Sequence, residues 1–282
     1  MCDELTLADE AKLTRRAFAV LGAGGALAAA VPAFATGKKL AESVVTIPTA
    51  DGTADAFFVH PARGKYPAII IWPDIGGLRD AFKDMARRLA AAGYAVLAVN
   101  HYYRSAPAPV LANFALWRTP EGQAKIRPMV GLVTADAVAR DAAAFVAWLD
   151  KQAAVNRKRG IGNSGYCMGG PFTVRSAAAV PDRIKAAASF HGAGLVSAAD
   201  NSPDKLLAKT KAAFLIAIAK NDDARAPTDK DALKAAAKAA GRPAEIEVYG
   251  GDHGWCVADS PSYHAAEAER AWARMLVLFG GL

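Results

Sequence analysis

The chain has 282 residues, carries 34 Lys and Arg against 27 Asp and Glu, and is 53% hydrophobic. With 24 Gly, 15 Pro and only three Cys, it is excluded from wholesale disorder, collagen-like repetition and any scaffold held by many disulfides. It is long enough for one large domain with a substantial core. The basic surplus is scattered and lacks interleaved aromatics, so no nucleic-acid partner is expected.

The N-terminal stretch contains Thr14-Arg15-Arg16-Ala17-Phe18, an uncharged run rich in Gly, Ala and Leu, and Ala33-Phe34-Ala35. Paired arginines ahead of a weakly apolar stretch, with small side chains at Ala33 and Ala35, resemble a twin-arginine export signal. The expectation is a signal peptide over residues 1–35, removed after Ala35, and a periplasmic domain over 36–282. The export machinery is then one partner, and no membrane span remains after cleavage. The alternative is an uncleaved anchor over residues 17–37, which is long enough to cross a bilayer.

Further on, β patterns at Ser43–Ile47 and Ala54–His60 flank the turn signal Asp51-Gly52. Ala68–Trp72 is a continuous apolar run of strand length, and Asp80–Ala92 is amphipathic and stops at Gly93. Tyr94–Val99 reads as strand, Thr134–Ala154 as helix, Gly160–Gly165 as strand, and Met168 to about Val180 as helix. Ile184–Phe190 and Ala212–Ala219 read as strands. Asp229–Ala240, Ala244–Tyr249 and Ser262–Phe279 then close the chain as helix, strand and helix. Apolar strands alternating with helices predict an α/β domain, with a mostly parallel sheet covered by helices on both faces. Residues 100–133, with four prolines, read as one long irregular segment after a strand end, where such sheets place their sites.

The strongest local signal is Gly165-Tyr166-Cys167-Met168-Gly169-Gly170, between a strand and a helix. This is a nucleophile elbow with Cys in place of Ser. The turn is so tight that the residues two before and two after the nucleophile must lack side chains. The thiol would sit at a helix amino end, whose partial positive charge favours thiolate. A base and an orienting carboxylate are expected later in the chain. Lys220-Asn221-Asp222-Asp223 ends a strand, and Gly250-Gly251-Asp252-His253-Gly254-Trp255 follows the last one. Of five His, only His253 has a glycine-rich loop able to swing over the elbow; His191, at a strand end, is a second candidate for the pocket lining.

These segments, with Pro73-Asp74-Ile75-Gly76-Gly77, Tyr102-Tyr103-Arg104 and His253-Gly254-Trp255, make the chain similar to the dienelactone hydrolase family. The likeness covers roughly residues 40–279. It implies an α/β-hydrolase fold without a large cap domain, needing neither metal nor organic cofactor and acting on small-molecule esters or lactones. Residue by residue, it implies Cys167 as nucleophile, His253 as base and then acid, and Asp223 as the orienting carboxylate. Asp222 is the alternative when the count runs from the strand end. The oxyanion hole would be the backbone N–H groups of Ile75 and Met168, with Asp74, Arg104 and Trp255 against the substrate.

Two positions depart from the family pattern. Family members that open dienelactone carry Glu where this chain has Asp74, and a second Arg where it has Val257. Esters or lactones with one anionic or apolar acid part, joined to an activated enol or aryl leaving group, therefore fit better than dienelactone itself. The alternative function is a non-catalytic periplasmic ligand-binding protein on the same fold. Cys256 is expected to pack away from Cys167 and stay reduced, because a disulfide between them would remove the nucleophile.

Overall fold

A computed structural model describes residues 39–282. The expected export signal lies outside them. The described chain forms one eight-stranded sheet in the order β1-β2-β4-β3-β5-β6-β7-β8. β1 (Leu40–Thr49) and β2 (Gly52–Pro61) form the predicted hairpin, and β2 also runs antiparallel to β4 (Ala95–Val99). From β4 onward every neighbour is parallel, through β3 (Ala68–Trp72), β5 (Ile161–Tyr166), β6 (Ile184–Phe190), β7 (Ala213–Ala219) and β8 (Ala244–Tyr249).

Every residue of β3 and β4 is buried, as expected of strands covered on both faces. On one face lie α1 (Asp80–Ala91), which buries Phe82, Ala86, Leu89 and Ala90 at helical spacing, and a C-terminal helix (Ala265–Gly280) ending in buried Leu278 and Phe279. Tyr166, Phe190 and Trp255 join this layer. On the other face Trp72 packs against Phe145 and Phe172, at ring-centroid distances of 5.6 and 5.7 Å. No helix among the described residues is long and apolar enough to cross a membrane.

Residues 100–133 are more ordered than the sequence predicted. A short 3-10 turn at Phe114–Arg118 leads into α2 (Pro120–Val130) and then α3 (Ala135–Leu149). The Thr119 hydroxyl accepts from Gly122 N at 3.1 Å, and proline fits the first helical turn because its missing N–H would be unpaired there anyway. Pro128, inside α2, is what disguised it. The expected helix from Thr134 ends five residues early, at Leu149.

The element that positions the site is the junction of β5 with α4 (Gly170–Ala179), through one 3-10 turn at Cys167–Gly169. A Cβ on Gly165 would lie 2.0 Å from the Gly169 carbonyl oxygen, and one on Gly169 would lie 2.3 Å from that of Trp72. Strand, turn and neighbouring strand thus touch backbone to backbone. Because rigid main chain rather than a yielding side chain would be struck, Gly169→Ala is expected to lower stability by about 3 kcal/mol or more in urea denaturation. A loss under about 1 kcal/mol would contradict this packing.

Candidate active site

The backbone bends into the left-handed region at Cys167, with φ +53, an uncommon conformation for a residue with a side chain. The bend lifts the thiol out of the plane of the sheet at the carboxyl end of β5, between the ends of β3 and β6. Across it lies the loop after β8, which carries His253. That loop is pinned by Asn221, whose side-chain oxygen accepts from His253 N at 2.8 Å, and by Lys220 N, which donates to Gly251 O at 3.1 Å.

The His253 ring meets two partners. Its Nδ1 donates to Asp222 Oδ2 at 2.6 Å, and the Cys167 side chain is close enough to act on the charge of the ring. The acid on the ring is therefore Asp222. Asp223, the residue favoured from sequence, instead pairs with Lys230 Nζ at 2.8 Å. The reason is local: a short helix, Lys220–Arg225, starts directly at the end of β7, and successive side chains on it point about 100° apart. The second oxygen of Asp222 is held by Arg225.

These contacts set the charge. Burial opposes an imidazolium at His253, but the hydrogen bonds and negative charges of Asp222 and Cys167 outweigh it and raise the ring to about 10. Burial likewise opposes the charge on Asp222, yet His253 and Arg225 hold it below the usual carboxylate range. Both shifts favour the protonated imidazole beside an ionised Asp222.

The loop after β3 lies beside the elbow, since Trp72 is in register with Gly165. It brings Ile75 next to Met168: the Tyr102 hydroxyl donates to Ile75 O at 3.0 Å and lies 3.4 Å from Met168 Sδ. Three expected contact residues are placed differently from the sequence reading. Asp74 is buried and faces Arg79, which donates to it at 2.7 and 2.9 Å and to Asp259 at 2.7 Å through each of two nitrogens. Arg104 is claimed by Asp51 and Asp141, at 2.6 and 2.7 Å, and ties the β1–β2 hairpin to α3. Trp255 is fully buried and stacks on Tyr249 at 4.8 Å, so it presents no face to a substrate.

A family model described as "Dienelactone hydrolase family" matches residues 54–282. The chain belongs to the dienelactone hydrolase family. A Methylorubrum extorquens protein named "Putative carboxymethylenebutenolidase" is 30% identical, over 97% of this chain and 94% of its own length. An Escherichia coli K12 protein of the same name is 29% identical, over 83% and 84%. The crystal structure titled "Putative Dienelactone Hydrolase" from Klebsiella pneumoniae superposes with a TM-score of 0.74 at 25% identity, covering 86% of this chain and 99% of that one. The chain is accordingly an α/β hydrolase, and among the described residues its sheet carries no large cap.

In this hydrolase Cys167 and Cys256 are both free thiols. Cys256 packs in the apolar layer with Tyr166 and Phe190, where burial pushes its thiol up and keeps it protonated. Asn221 and Arg225, which hold the His253 loop and Asp222, were not singled out from sequence, and neither was the pairing of Arg79 with Asp74 and Asp259. Only the neighbouring Asp222-Asp223 pair hinted at the first two.

Two outcomes are expected. The His253 ring should titrate near 10 by NMR, and at lower pH in Asp222→Asn and in Cys167→Ala, since each removes a negative partner; an unshifted midpoint would contradict the contacts. Asp74→Ala should cost about 3 kcal/mol in denaturation, because it strips a partner from a fully buried guanidinium. A near-neutral effect would show that Asp259 alone suffices.

Proposed function

We propose that the protein hydrolyses carboxylic esters or lactones through Cys167, His253 and Asp222, by way of a thioester on Cys167. The observation that carries this reading is the His253 ring, held by Asp222 at 2.6 Å beside the left-handed bend that presents Cys167. With the proton carried by the imidazole, the sulfur attacks the carbonyl carbon as the thiolate. The developing oxyanion is received by the amides of Ile75 and Met168. As the tetrahedral intermediate collapses, His253 gives its proton to the departing alkoxide. The neutral ring then takes a proton from water, whose oxygen attacks the thioester, and the thiolate leaves to restore the pair.

The substrate class follows from leaving-group chemistry and from the arginines. A thiolate leaves more readily than a simple alkoxide, so the intermediate returns to substrate unless the alcohol part is a good leaving group. Enol and aryl esters therefore suit the site. Arg104, the cation expected to orient a substrate carboxylate, is saturated by two aspartates, which favours an uncharged, apolar acid part beside Ile75 and Met168. Residues 15 and 16 and the small residues at 33 and 35 support export to the periplasm through the twin-arginine machinery.

A substrate panel tests this. Nitrophenyl acetate should be turned over much faster than ethyl acetate, and faster than a nitrophenyl ester whose acid part bears a second carboxylate. Cys167→Ala should lower kcat by at least about 10³-fold and Asp222→Asn by roughly 10³- to 10⁴-fold, with Asp223→Asn near wild type. Equal rates on ethyl and nitrophenyl esters, or an active Cys167→Ala, would refute the reading. For export, replacing Arg15 and Arg16 by Lys should leave the protein in the cytoplasm, while the exported form should begin at Thr36.

A further inference from the structure

Among the described residues, two that are not glycine have positive φ: Cys167 at +53 and His191 at +39. They stand at the carboxyl ends of adjacent parallel strands, β5 and β6. Holding a side-chain-bearing residue there costs on the order of 1–3 kcal/mol, and such strain persists where the surroundings impose it, most often at working sites. For Cys167 the use is already argued. For His191 none has been given.

His191 N donates to Ala217 O at 2.8 Å, which locks the strained backbone onto β7. The side chain is 1% exposed. Its ring stands 5.0 Å from that of His253 at an interplanar angle of 62°, edge to face, with Trp255 at 6.0 Å and Tyr166 at 6.3 Å behind it. Neither ring nitrogen has a hydrogen-bond partner among the described residues. A histidine used for its nitrogens would be placed otherwise; this one is used as an aromatic body.

We propose that His191 is a positioning residue for the reaction: its ring fixes the plane of the His253 ring between Asp222 and Cys167 and supports the positive charge there as an aromatic neighbour. The proposal rests on the thiolate and imidazolium reading above. A cation over the face of an aromatic ring within about 6 Å of its centroid is attracted to it, more so when water is excluded, and the edge-to-face contact at 5.0 Å lies within that reach. The neighbour must itself stay uncharged, and it does: burial first, and then the charge on His253, lower His191 to about 3, with Asp222 opposing. The groups facing His253 are Asp222 from the helix after β7, Cys167 from the elbow and His191 from β6. Facing His191 are His253, Trp255 and Tyr166.

The test compares His191→Leu, which keeps apolar volume without an aromatic ring, with His191→Phe, which keeps the ring without nitrogens. Iodoacetamide labelling of Cys167, followed by mass spectrometry of its peptide, needs no ester turnover, so it is independent of which substrate the enzyme takes. The rate at pH 7 divided by the rate at pH 10 reports how far the imidazolium stabilises the thiolate, and a mere change in access cancels from the ratio. His191→Leu should lower that ratio about 3- to 10-fold and lower kcat on nitrophenyl acetate with little change in KM; His191→Phe should keep both within about twofold of wild type. An unchanged ratio in His191→Leu, or a Phe variant as impaired as the Leu one while both keep the wild-type circular dichroism, would overturn the proposal. A wild-type ratio no higher than that of a free thiol would instead remove the ion-pair reading on which it rests.

Discussion

Everything in the site descends from a close approach of main chain to main chain. Gly165, Gly169 and the carbonyl of Trp72 sit so near one another that no β-carbon fits, and Cys167, midway between the two glycines, is driven to φ +53. The energetic cost of that bend is met by the packed sheet around it, where β3, β4 and β5 are buried along their whole length. What the bend provides is placement: a sulfur clear of the sheet, beside the loop of Ile75 and below the ring of His253. Loosening the approach would let the backbone relax and the thiol sink.

The second ordering principle is electrostatic. The chain gathers its buried charges into saturated groups: Arg79 with two aspartates, Arg104 with two more, and Asp222 between His253 and Arg225. Arg79 spends all five of its donors and Arg104 four, and both so stiffen loops. The third differs because one partner can lose a proton, and the geometry biases where that proton rests. Structural and chemical uses of the same residue types are thereby kept apart, a separation that burial and partner count reveal and residue identity does not.

Much of this was legible in the sequence. The alternation of apolar strands with amphipathic helices gave the sheet, and the two glycines around Cys167 gave the elbow, because both signals are local and rest on sterics. The acid was less legible: Asp222 and Asp223 are neighbours, and the choice between them turns on where a helix starts. Arg104 and Asp74 misled for a different reason, since Asp51, Asp141, Arg79 and Asp259, which occupy them, are recognisable as partners only after folding. Trp255 misled because adjacency to His253 suggests a pocket wall, whereas the loop turns it inward onto Tyr249. α2 was hidden by prolines, one at its start, where proline belongs, and one inside it, where it is rare.

On the proposed route the acyl group passes through the Cys167 sulfur. Mixing the enzyme with a nitrophenyl ester, quenching in acid within the first turnover and mapping the peptides by mass spectrometry would trap it there. An acyl adduct is expected on the peptide bearing Cys167, removable by hydroxylamine and slow to clear in Asp222→Asn. Turnover with Cys167 unmodified at every quench time, or an adduct on any other residue, would contradict it.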